Sequence, residues 1–61
     1  LRPSDPMMLY EAGRIERFVG SATEARRLLD AAADAVDAGA PLGGGVTRAD
    51  IERERRAAGG P

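Results

Sequence analysis

The chain has 61 residues, of which nine are basic and ten are acidic, and it contains neither cysteine nor histidine. This length accommodates at most one small domain, and the missing residue types exclude a disulfide and the usual ligands of a structural zinc ion. The formal net charge of −1 gives no general attraction to nucleic acids or to anionic membranes.

The composition also indicates an origin and a location. All nine basic residues are arginine, and alanine and glycine are abundant, which is typical of a high-GC bacterial or phage genome. No apolar run approaches the roughly 18 residues of a membrane-spanning helix, and no charged-then-apolar leader is recognisable. We therefore expect neither a membrane span nor a signal peptide, and a location in the cytoplasm or in a virion.

A first helix is predicted over residues 6–19. Ser4 or Asp5 is its expected N-cap, because both side chains can accept a hydrogen bond from the first turn. Pro6 suits the first helical position, where an N–H group would have no partner within the helix. Gly20 is expected to end the helix.

The apolar residues of this helix indicate which face it buries. An apolar stripe recurs at helical spacing and is predicted to pack on the next helix. It consists of Met8, Ala12, Ile15 and Val19. Gly13 costs about 1 kcal/mol in helix propensity relative to alanine, and its presence in mid-helix indicates a close approach by another backbone.

A second helix is predicted over residues 22–38. Ser21 and Glu24 form a capping box at its start, and Gly39 is expected to end it. Because the junction at Gly20 is short, helices 1 and 2 are expected to form an antiparallel hairpin. The predicted inner face is small and apolar and consists of Ala22, Ala25, Leu28, Leu29, Ala32 and Val36.

The rest of the chain is predicted to be a linker and a short third helix. Residues 40–46 are glycine-rich and typical of a flexible linker, which separates the hairpin of residues 1–39 from a C-terminal part of residues 47–61. In that part, a charged helix is predicted over residues 48–58, begun by an imperfect capping box at Thr47. This helix has little apolar surface, so we expect it to lie on a surface or against a partner.

No group of residues predicts catalysis. A nucleophile needs an activating base, and the chain has no histidine, cysteine or lysine. The carboxylates of Asp30 and Asp34 lie on a predicted solvated face with arginines one turn away. The glycines of residues 43–45 lack the lysine and the preceding strand of a phosphate-binding loop. We therefore expect no enzyme activity, no cofactor and no metal.

The arginines of the third helix offer an alternative function. Arginines on a short helix can bind phosphates, which favours a nucleic-acid-binding or antitoxin-like regulator. However, glutamates alternate with these arginines, and no base-reading side chain accompanies them. The charged run contains Glu52, Arg53, Glu54, Arg55 and Arg56. We therefore expect a protein partner rather than a nucleic acid.

Four large side chains follow one another in the run MMLY, residues 7–10, and a helix can turn only about half of them inward. Leu9 and Tyr10 lie off the predicted inner stripe, and methionine and tyrosine suit protein interfaces. We therefore expect these side chains to anchor another protein. The candidate partner-binding residues are Met7, Leu9, Tyr10, Phe18 and Ile51.

The sequence as a whole offers few large apolar side chains for a core. We therefore expect an all-α protein that becomes ordered by packing on a partner chain. The predicted function is that of a small non-catalytic helical subunit or adaptor in a homo- or hetero-oligomeric assembly. An accessory subunit of a bacterial enzyme and a structural protein of a phage particle both fit this description.

Overall fold

The computed structural model describes residues 5–59, which form three helices and no strand. The helices are α1 (Pro6–Val19), α2 (Ala22–Asp37) and α3 (Arg48–Gly59). The predicted all-α class is confirmed, and each predicted helix end lies within one residue of the observed end. The alternative N-cap Ser4 and the tail after α3 lie outside the described residues.

The starts of α1 and α2 follow from local side-chain hydrogen bonds. The Oδ1 atom of Asp5 accepts a hydrogen bond from the amide of Met7 at 3.0 Å, so Asp5 is the N-cap of α1. The Oγ atom of Ser21 accepts from the amide of Glu24 at 3.3 Å. The second half of the predicted capping box is absent at this position, because the amide of Ser21 donates instead to the carboxylate of Glu16 at 3.2 Å.

The connection between α2 and α3 is anchored at both of its ends. Gly39 has a φ of +105°, and the amide of Ala40 donates to the carbonyl of Ala35 at 3.0 Å, which closes α2 in a Schellman motif. At the start of α3, the amide of Thr47 donates to Asp50 at 2.8 Å. The amide of Asp50 donates back to the Thr47 hydroxyl at 3.3 Å, so this capping box is complete.

The core is built largely from alanine. Leu29 and Ile51 are the largest side chains that are fully buried in the described part of the chain. Leu42 and Val46, from the segment predicted as a linker, pack against this core together with Leu9 and Val36. The buried apolar residues are Tyr10, Ala25, Leu29, Ala32, Ala33, Ile51 and Ala58. A core with so few large side chains stabilises the fold only modestly.

The predicted orientation of helix 1 is wrong. Tyr10 is buried in the core at 7% exposure, whereas Ile15, from the stripe expected to face α2, is exposed. The reason is the close approach at Gly13, which is confirmed: a Cβ atom built there would lie 2.7 Å from Cγ of Leu29 and 3.3 Å from the carbonyl oxygen of Ala25. Packing along this face brings the two backbones together and gains dispersion contacts over the whole helix pair.

The third helix is also more buried than predicted. Ile51 is fully buried and Ala58 is 8% exposed, so α3 contributes to the common core. It packs mainly on α2 and only slightly on α1. Arg48 donates to both carboxylate oxygens of Asp37, at 3.1 and 3.2 Å, and joins the start of α3 to the end of α2. This contact places a positive charge at the negative end of the α2 dipole.

Candidate protein-binding surface

The face of α1 that points away from the core carries four exposed large apolar side chains. They are Met8, Ile15, Phe18 and Val19, with exposed fractions of 53%, 59%, 69% and 80%. At 100° per residue, Met8, Ile15 and Val19 fall on one line along the helix and Phe18 lies beside it. We call these four residues the outer stripe.

The C-terminal half of the outer stripe borders a shallow groove of about 310 Å³. Ile15, Phe18 and Val19 form its apolar lining, and Glu11 and Arg14 supply a negative and a positive charge at its edge. An apolar surface with charges at its rim is the usual composition of a protein-binding site. Its residues come from one helix, so the surface suits contact with another helix.

The aromatic ring of the outer stripe is held in place by α3. Arg17 stacks its guanidinium over the Phe18 ring, with Cζ 4.4 Å from the ring centroid. The same guanidinium donates from Nε to Glu54 of α3 at 2.9 Å. The side chain of Glu54 is only 14% exposed, which reduces the solvent screening of this ion pair. The docking of α3 therefore restrains an exposed anchor on α1.

The five predicted partner-binding residues lie in different environments. Phe18 lies on the outer stripe. Met7 is half-buried, and Leu9 packs against the core. Tyr10 and Ile51 are buried within the chain, so the expectation that Tyr10 points away from the core is wrong. The structure thus brings together one predicted contact residue and three residues that the sequence assigned to the hairpin interior.

The signal for the outer stripe was present in the sequence as a helical period. Met8, Ile15 and Val19 are the most regular apolar set of α1. Periodicity identifies a face and does not show whether that face meets this chain or another one. Gly13 was the sign that the other face is inward, since a glycine in mid-helix favours a close helix contact.

A second surface lies between α2 and α3 and is rich in arginine. A groove of about 270 Å³ is lined by Arg26, Glu52, Arg55, Arg56 and Gly59. Arg55 donates to Asp30 and to Glu52, each at 2.7 Å. A hydrogen bond from Arg48 and the charge of Arg55 hold the pKa of Glu52 below its ordinary value, so this carboxylate stays charged among the arginines at neutral pH.

The arginines of α3 are therefore largely engaged with carboxylates of the same chain. Arg48 pairs with Asp37, and Arg53 donates to Asp50 at 2.8 Å. Binding a nucleic-acid phosphate at these side chains would require the loss of those contacts. The helix itself is fixed in the core through Ile51.

Three of the four hydroxyl-bearing side chains among residues 5–59 have structural roles. The hydroxyls of Ser21 and Thr47 cap helices, and the Tyr10 side chain lies in the core. Within residues 5–59, no group of three or more acidic side chains is placed to hold a metal ion. No helix in that range is long and apolar enough to cross a bilayer.

Comparison with protein-family models, with curated proteins and with solved structures finds no match to this chain.

Proposed function

We propose that this chain is a small non-catalytic helical protein that binds another protein through the outer stripe of α1. In this proposal it serves as a subunit or adaptor of a larger assembly in the cytoplasm or in a virion. α1 and α2 form an antiparallel hairpin, which is supported by their two-residue connection and by the contact of Gly13 with Leu29.

The observation that carries the proposal is the exposure of the outer stripe. Within residues 5–59, two large apolar side chains, Leu29 and Ile51, are fully buried, and four others are exposed on one helix face. Apolar side chains scattered singly over a surface need no explanation, but a contiguous set on one face marks an interaction site. Covering that face adds apolar burial to a core that is too small to stabilise the chain strongly.

Photocrosslinking tests the proposed function. We would replace Phe18 by benzoylphenylalanine in the cells that produce the protein and identify the adducts by mass spectrometry. The matched control carries the same amino acid at Asp34, an exposed position on α2. We expect a defined protein adduct from position 18 and none from position 34. Equal labelling at both positions, or none at position 18, would contradict a binding role for the outer stripe.

A further inference from the structure

We infer that the occupant of the outer stripe is a second copy of this chain, with the two α1 helices antiparallel about a two-fold axis. This inference rests on the proposed function and names its partner. It is drawn from the order of residue sizes along the stripe and from the two charges beside it.

The order of sizes along α1 fits an antiparallel pair. Ala12 is half-buried at the edge of the outer stripe, one turn after Met8, and its small side chain allows two helices to approach closely. If the axis crosses the outer face at the level of Gly13 along the helix, Ile15 of each copy packs over Ala12 of the other. Met8 of each copy then meets Phe18 of the other, so a large side chain fills each end. The contact is isologous, as expected of a closed dimer.

The charges favour the same arrangement. Glu11 and Arg14 both border the groove and lie on the same flank of the stripe. In an antiparallel pair related by a two-fold axis, this flank of one helix lies beside the same flank of the other helix, and the two run in opposite directions. Glu11 of each copy therefore lies opposite Arg14 of the other, which gives two ion pairs at the rim. In a parallel pair, Glu11 would instead lie level with Glu11 of the other copy and Arg14 level with Arg14, so neither residue would be level with an opposite charge.

The area of the stripe predicts a weak dimer. Four half-exposed to largely exposed side chains on each copy amount to on the order of 1,000 Å² of surface in the pair. This is the lower end for a specific interface, so we expect a weak and reversible dimer. Two chains at low concentration therefore separate, and crowded or scaffolded chains associate.

Sedimentation of the purified full chain from about 1 µM to about 1 mM measures this association. We expect a monomer–dimer equilibrium for the natural chain. Ile15→Glu places a charge near the axis and should weaken the dimer at least tenfold. Ala57→Glu adds the same charge at an exposed position of α3 and should leave the dimer unchanged. Circular dichroism of the dilute proteins checks that each variant keeps its helix content.

A charge exchange tests the antiparallel geometry. Glu11→Arg alone and Arg14→Glu alone each set like charges against each other and should weaken the dimer about three- to tenfold. The double variant Glu11→Arg with Arg14→Glu restores both pairs between the copies but also loses the 4.0 Å contact of Arg14 with Glu54 of its own chain, so it should bind more tightly than either single variant. A role limited to the fold of one chain would give no such recovery.

Three outcomes overturn the inference. They are a monomer at every concentration, a dimer that Ile15→Glu does not weaken, and a double variant no tighter than the single variants. A monomeric purified chain whose position 18 still crosslinks to a different protein would refute self-association and leave the proposed function standing. Loss of both signals would refute both.

Discussion

Tyr10 and Ile15 lie on opposite faces of the same helix, and this difference sets what each side chain contributes to folding. Tyr10 is 7% exposed and Ile15 is 59% exposed. Tyr10→Ala leaves a cavity in a small core and should therefore remove most of the free energy of unfolding. Ile15→Ala should change it by less than about 0.5 kcal/mol. Chemical denaturation of both variants at low concentration measures these values, and a larger loss for Ile15→Ala would reverse our orientation of α1.

Gly13 determines how closely α1 approaches α2. A methyl group at this position would lie 2.7 and 2.9 Å from side-chain atoms of Leu29, which is nearer than packed carbon atoms tolerate. Gly13→Ala gains about 1 kcal/mol in helix propensity and loses more through overpacking, so we expect a net destabilisation of about 1 to 2 kcal/mol.

Gly43→Ala is the matched control for that substitution. A Cβ atom at Gly43 meets no other atom within 4 Å, so the methyl group fits there. We expect a free energy of unfolding that is unchanged or slightly raised, since alanine restricts the unfolded chain. If Gly13→Ala were as harmless as Gly43→Ala in denaturant titrations, the two helices would not be in backbone contact.

The third helix, α3, is held to α2 partly by ionised carboxylates, so its docking depends on pH. The hydrogen bonds from Arg48 lower the pKa of Asp37 below its ordinary value of 3.8. At the N-terminus of α3, the amide of Thr47 and then the guanidinium of Arg53 lower the pKa of Asp50. A carboxyl group whose pKa is lower in the folded state stabilises that state above its ordinary pKa, and this contribution is lost as the pH falls through the folded value.

We therefore expect the melting temperature to be constant near neutral pH and to fall as the pH drops below about 4. Arg48→Gln removes the partner of Asp37, so it should lower the melting temperature at pH 7 and have little effect at strongly acidic pH. Arg56→Gln, on an exposed arginine with no ion pair among residues 5–59, should keep the natural profile. Thermal melts followed by circular dichroism decide this, and an unchanged profile for Arg48→Gln would contradict the role of the Asp37 contact.

The helices and their ends were predictable because local chemistry determines them. Asp5, Ser21 and Gly39 act within one turn of chain, and their roles follow from residue type and position. The burial of Ile51 was not predictable, because a glycine-rich segment precedes α3 and a run of charged residues follows Ile51. Only the tertiary contact of α3 with α2 brings this side chain into the core.

The apolar spacing of the candidate surface was predictable from the sequence, but its position on the outside of the fold was not. The period of Met8, Ile15 and Val19 is clear in the sequence, yet α1 carries a second face with Leu9, Tyr10 and Gly13. Which face turns inward depends on the small residues of α2 that accept it. The orientation of α1 therefore depends on both helices, and the spacing of apolar residues in α1 alone does not determine it.

In the molecule as a whole, the outer stripe and the core are held in place by the same few contacts. Leu29 and Gly13 fix α1 on α2, and Glu54 of α3 holds Arg17 against the Phe18 ring. Because the core is thin, loss of α3 docking should loosen the outer stripe as well as the fold. Covering the stripe should in turn stabilise the whole chain, since a ligand that binds only the folded state raises its stability.

We propose that one face of α1 is open in the single chain and becomes covered on association. The chain has two isoleucines, Ile15 on the outer stripe and Ile51 in the core, so labelled isoleucine methyl groups give two NMR signals. With a soluble paramagnetic gadolinium chelate and dilute protein, the Ile15 signal should broaden strongly and the Ile51 signal should not. At high protein concentration, Ile15 should become protected. An Ile15 methyl group that is shielded in the dilute chain would contradict the exposure of the outer stripe. One that stays equally accessible at every concentration would contradict its coverage on association.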